Sequence, residues 1–286
     1  LPNRAVLRLR PDFASSAVVT ADAESRFGVP TDELPRCRQE LASGGINLIG
    51  FHVFSGSQVL DANGVITHLR GTIDLALRAA ETLGIDLEFI NLGGGFGIPY
   101  ANNDEELNLS KIGEELESLL ERVAPARLAL ELGRYLVAQA GWYLTSVVSH
   151  QTHQGRPAVI VDGGTHQRAD MCGLNLRHKA NPPVVLNASA SPLTATDVLG
   201  CLSLPADVLA EASLLPKLSP GDVLAFANAG AYGLWSSPAM FHGYPLPAEV
   251  AFDSESIELM RSPRSARSIL EDQNHLLKKG VVADST

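Results

Sequence analysis

The sequence predicts an α/β domain followed by a mostly β domain, on three observations. Through the first half of the chain, short apolar runs with strand period alternate with longer stretches of helical period. Each strand-like run ends in polar or glycine-rich residues, the layout of parallel β/α units, which bind ligands at their strand ends. From Gly141 the helical period lapses, and short β-like runs separated by turn residues take over. The two domains are expected at residues 1–140 and 141–286.

Arg4 to Arg10 alternates polar and apolar residues as a half-buried strand does, and Pro11-Asp12 ends it. Thr31 caps a helix through Ser43, with Leu34, Cys37 and Leu41 inward and Gly44-Gly45 as the stop. Ile46 to Phe54 is the second strand, closing in Ser55-Gly56-Ser57-Gln58. Between Asp61 and Gly84, residues Val65, Leu69, Ile73, Ala76, Leu77, Ala80 and Leu83 recur at helical spacing, and Gly84 suits a C-cap. Leu87 to Leu92 is the third strand and runs into Gly93, Gly94 and Gly95. Ser110 to Val123 is an amphipathic helix with Ile112, Leu116, Leu119, Leu120 and Val123 inward. Arg127 to Leu132 is the fourth strand, finishing in Gly133-Arg134. In the second half, Trp142–His150, Arg156–Val161, Pro183–Asn187 and Asp222–Asn228 read as strands, and Ser265–Lys279 as a short tail helix.

A net charge of -10 argues against nucleic acid or an anionic membrane as the main partner, since either prefers a basic face. The three cysteines, Cys37, Cys172 and Cys201, are widely spaced and contain no C-x-x-C pair, so neither a disulfide framework nor a metal site is expected. A reducing compartment, the cytoplasm, is the default. No run is long enough for a transmembrane helix, and the N-terminus lacks a signal-peptide layout.

The glycine run invites an anion. Glycines at a strand's C-terminal end let bare backbone N–H groups approach a phosphate or carboxylate closely, although the same residues also make ordinary tight turns. Around it stand Phe51-His52-Val53 with Ser57, Glu131-Leu132-Gly133-Arg134-Tyr135-Leu136-Val137, Val161-Asp162-Gly163-Gly164, and Ala229-Gly230-Ala231-Tyr232-Gly233 with Pro247-Ala248-Glu249-Val250. In this order and spacing the blocks resemble the ornithine/diaminopimelate decarboxylase family. Their wording is most similar to the branch associated with exosortase or polysaccharide gene clusters.

The resemblance implies an alanine-racemase-like (β/α)8 barrel of fold type III, of which this chain would hold the second half, followed by a β domain. It implies pyridoxal 5'-phosphate as cofactor and decarboxylation of an amino acid or of an aminoacyl group tethered to a carrier protein. It also implies a homodimer with shared active sites. On that resemblance Gly93, Gly94, Gly95, Gly133, Arg134 and Tyr232 grip the cofactor phosphate and Ser57 adds a hydroxyl. Glu131 faces the pyridine nitrogen, and His52 stacks on the ring. Asp162 and Asp207 lie near the substrate. Each residue also has a structural reading: Glu131 with Arg134 as an ion pair, His52 or Tyr232 as core, Asp162 as a turn residue.

Two departures accompany the resemblance. The family's cofactor-bearing lysine has no match among Lys111, Lys179, Lys217, Lys278 and Lys279, so it is expected upstream of Leu1 in a longer protein. The alternative is a non-catalytic or repurposed relative within a larger biosynthetic assembly. Second, the register that holds a proton-donating cysteine in the family falls on Ser203, with Cys201 two residues away.

Overall fold

The computed structural model describes residues 3–13, 19–20, 26–101, 103–172, 182–187 and 190–271. It divides into two compact units, one of residues 1–142 with 228–231, the other of residues 143–227 with 232–286. Lys179, Lys278, Lys279 and the end of the expected tail helix lie outside the described residues.

In the first unit β1 (Arg4–Leu9), β3 (Asn47–Val53), β5 (Phe89–Asn91) and β6 (Arg127–Ala129) form a four-stranded sheet in that order, and every pairing is parallel. A short antiparallel pair, β2 (Val19–Thr20) with β4 (Gly56–Ser57), lies apart from it. Parallel neighbours need crossovers, which the helices α1 (Leu34–Ser43), α2 (Ala62–Leu83) and α3 (Leu109–Val123) supply. Asp61 caps α2 by accepting from the Gly64 amide at 2.8 Å, and Gly84 ends it in the left-handed region, φ +63°. Asn108 caps α3 through the Lys111 amide.

Strand periodicity divides the sheet into two faces. Leu7, Phe51, Ile90 and Leu128 stand in one row of register and pack with the helices' apolar stripes into a single core. The next row, on the opposite face, is Arg8, His52, Asn91 and Ala129. Leu119 and Val123 of α3 are buried, but Leu120 is 46% exposed, contrary to expectation. It lies about 100° around the helix from Leu119, so the two cannot share one narrow face. Cys37 is half-buried rather than core.

In the second unit, β7 (Tyr143–His153), β8 (Arg156–Val161), β9 (Val184–Val185), β10 (Thr194–Leu199), β11 (Val208–Leu215) and β12 (Val223–Phe226) form one sheet in the order β11-β10-β8-β7-β12-β9. β13 (Glu249–Phe252) and β14 (Ile257–Arg261) make a separate hairpin. The sequence reading overlooked four of these strands, β10, β11, β13 and β14. Two short helices complete the described chain, α4 (Arg134–Val137) in the first unit and α5 (Ala266–Glu271) in the second.

Candidate cofactor site

The first unit gathers candidate side chains at the C-terminal ends of β3, β5 and β6. Asn91 organises them. Its amide donates to Glu131 Oε1 at 2.8 Å while its carbonyl accepts from the Gly93 amide at 2.9 Å, so one side chain aims the carboxylate and starts the glycine turn. Glu131 Oε2 lies 3.5 Å from His52 Nε2. The Glu131 side chain is about half exposed and the imidazole is mostly covered, which leaves the carboxylate available on the open face of the sheet. Burial pushes the His52 imidazole below its ordinary value; Glu131 pulls the other way and Arg8 adds to the lowering.

The glycines answer first to their neighbours. A Cβ on Gly93 would lie 2.4 Å from the Val53 carbonyl oxygen, one on Gly94 2.1 Å from that of Glu131, and one on Gly95 2.4 Å from that of Gly56. The turn is thus wedged between the loops that follow β3 and β6. Gly93 and Gly95 also have positive φ, +69° and +98°. Among the described residues the successive amides of Gly94, Gly95 and Phe96 donate to no protein acceptor. Three bare amides at a strand end suit a phosphate.

Arg134 begins α4, is 7% exposed, and donates from Nη1 to the Tyr100 hydroxyl at 3.3 Å, with its guanidinium 5.4 Å from the centre of that ring. A buried guanidinium just past the end of β6 offers the charge a phosphate requires. Gly133 is exposed, and an added Cβ there would meet nothing, so no close approach explains it. Ser57 sits in β4 at half burial. Its neighbour Gln58, unnoticed in the sequence, is fully buried and clasps Ile98 through both ends of its amide, at 2.6 and 3.2 Å.

A second pair also escaped the sequence reading. His68 of α2 is 4% exposed, with Nδ1 in close contact with Ser55 Oγ and Nε2 3.1 Å from the Leu92 carbonyl oxygen. A carbonyl only accepts, so Nε2 carries the proton and Nδ1 accepts from the serine hydroxyl. This ties the end of β3 to the end of β5.

The remaining candidates lie in the second unit. Asp162 accepts from Thr145 Oγ1 at 2.6 Å and from the Ser146 amide at 2.8 Å. Asp207, expected at a substrate, is 3% exposed and accepts from the Thr165 amide, the Thr165 hydroxyl and the Leu202 amide at 2.7 to 2.8 Å. Cys201 is half-buried; its thiol donates to the Asp162 carbonyl at 3.6 Å, and burial raises its pKa. Ser203 is exposed two residues on. Tyr232 is 54% exposed with φ +64°, a conformation that costs a side chain about 1–3 kcal/mol and clusters at functional sites. His166 is fully buried with its ring 5.1 Å from that of Tyr244.

Residues 2–138, which contain every first-unit candidate, match the family model described as pyridoxal-dependent decarboxylase, pyridoxal binding domain. The chain is 33% identical over 283 residues to an L-glutamyl-[BtrI acyl-carrier protein] decarboxylase from Niallia circulans, covering 94% of this chain and 66% of that protein. The chain belongs to the ornithine/diaminopimelate decarboxylase family. It is also 30% identical to a diaminopimelate decarboxylase from Methanothermobacter thermautotrophicus, over 91% of this chain and 62% of that one. The crystal structure of diaminopimelate decarboxylase from Helicobacter pylori complexed with L-lysine superposes with a TM-score of 0.80 at 26% identity, covering 97% of this chain and 67% of that one. The chain thus spans just under two thirds of the length of the two curated relatives.

Proposed function

We propose that this chain carries the cofactor cradle and β domain of a pyridoxal 5'-phosphate-dependent decarboxylase that acts on an amino acid or on an aminoacyl group tethered to a carrier protein. On this reading the four parallel strands are the second half of an eight-stranded barrel, and the protein works as a cytoplasmic homodimer. The observation that carries the reading is the Asn91 relay, which aims Glu131 beside His52 while it starts the turn whose amides are bare.

Bound here, the cofactor supplies an electron sink for the pair left when the α-carboxylate departs as CO2. The chain's residues do the rest. The amides of Gly94, Gly95 and Phe96 and the Arg134 guanidinium would bind the phosphate, with Ser57 adding a hydroxyl. Glu131 holds a proton at the ring nitrogen, which a neutral partner there would not do. His52 covers one face of the ring and excludes water from it. Cys201, kept as a thiol by burial, or Ser203 returns the proton after CO2 loss. Asp162 reads the substrate, and Asp207 shapes the Thr165 and Leu202 loops around it. Among the described residues, Lys111 donates to Asn63 and Lys217 is exposed, so neither is assigned a role toward the cofactor.

The test is release of CO2 by full-length protein from free amino acids and from glutamyl-loaded carrier protein, with and without added pyridoxal phosphate. Cofactor-dependent release supports the proposal. No release from any of them, in a protein shown to be folded, contradicts it.

A further inference from the structure

The cofactor reading asks two neighbouring groups to hold unlike charge states. Glu131 has to stay an anion to keep a proton on the ring nitrogen, while His52, 3.5 Å away, has to stay neutral to lie against the ring. Burial already favours the neutral imidazole, but Glu131 works against it. A carboxylate at that distance favours imidazolium, and the ion pair so formed would occupy Glu131.

Arg8 opposes this from the next strand. It is the register partner of His52 between β1 and β3, and partners in a parallel pair project from the same face. Its guanidinium carbon lies 5.1 Å from the centre of the Phe27 ring and 5.7 Å from that of Phe54. The two rings hold the cation on the strand whose register partner is His52. Among the described residues no carboxylate pairs with Arg8, so its charge is not cancelled locally. The charged groups acting on His52 are therefore Arg8 from β1 and Glu131 beyond β6, while Asn91 of β5 offers a neutral amide.

We propose that Arg8 is a positioning residue of this site, a clamped cation that keeps His52 unprotonated and so reserves Glu131 for the cofactor ring. The assignment of the ring rests on the function proposed above; the control of His52 by Arg8 needs no cofactor. Titration of the His52 ring protons by NMR in full-length protein free of cofactor tests it. Arg8→Met and Arg8→Gln shift the His52 titration upward, Arg8→Lys leaves it near the wild-type position, and Glu131→Gln shifts it downward. Phe54→Leu, which loosens the clamp and keeps the charge, shifts it upward by less. An unmoved His52 in folded Arg8→Met or Arg8→Gln protein, or an Arg8→Lys curve that follows the neutral variants, overturns the inference. A wild-type protein that ignores added pyridoxal phosphate contradicts the functional reading alone and leaves the titration result standing.

Discussion

His68 sits in the middle of a helix, yet its ring joins two strand ends, and the cost of charging it is a prediction about acid stability. Burial lowers its pKa in the folded state below the unfolded value of 6.5. The unfolded chain therefore binds the proton more readily, and stability rises with pH across the gap. The contribution is complete above about pH 6.5 and is lost as pH falls through the folded value. His52 and His166 shift in the same direction. Melting temperature is expected to fall from pH 7 to pH 5, and His68→Gln to flatten part of that slope while costing about 1–3 kcal/mol at pH 8. A slope unchanged by the substitution would remove His68 from the account. His52, Glu131 and Arg134 stood out in the sequence because each lies at or just past the C-terminal end of a strand-like run. Asn91, His68 and Arg8 did not: their contacts come from register and helix placement, which a single sequence does not display.

The glycine turn behaves as one element, because its backbone is wedged against its neighbours. Gly94 has an ordinary backbone conformation, so Gly94→Ala acts by contact, placing a methyl 2.1 Å from the Glu131 carbonyl oxygen. The end of β6 has to move, at a cost of about 1–3 kcal/mol. Because Glu131 moves with it, pyridoxal phosphate affinity drops by about tenfold or more, equivalent to about 1.4 kcal/mol. Denaturant unfolding and cofactor titration of the same variant check both halves. In the second unit, Asp207→Asn puts an amide where the carboxylate accepts three hydrogen bonds, and is expected to cost about 1–3 kcal/mol by urea unfolding. Elements of the first unit were readable because helices and strands there differ in period. β11 was not, since its Val-Leu-Ala-Glu-Ala-Ser-Leu-Leu is rich in helix formers and becomes a strand through pairing with β10. β10 carries only six residues with polar threonines at alternate positions, which mask its apolar run.

At the scale of the molecule, the first unit brings the cradle residues to one end of a parallel sheet, and the second brings Asp162, Cys201 and Asp207 into one network of loops. The ordered series of strand-end blocks pointed to the family, because such a series restricts the possible folds far more than any one block. How the residues of each group contact one another required the structure. The central claim is that the ends of β3, β5 and β6 form a pyridoxal phosphate cradle, and cofactor occupancy tests it most directly. Titration of pyridoxal phosphate into full-length protein, followed by its visible absorbance, is predicted to saturate in the wild type. Glu131→Ala and Arg134→Ala are each predicted to weaken it by about tenfold to a hundredfold, the loss of one charge-assisted interaction of about 1.5–3 kcal/mol. Occupancy in both variants equal to that of the wild type would contradict the account.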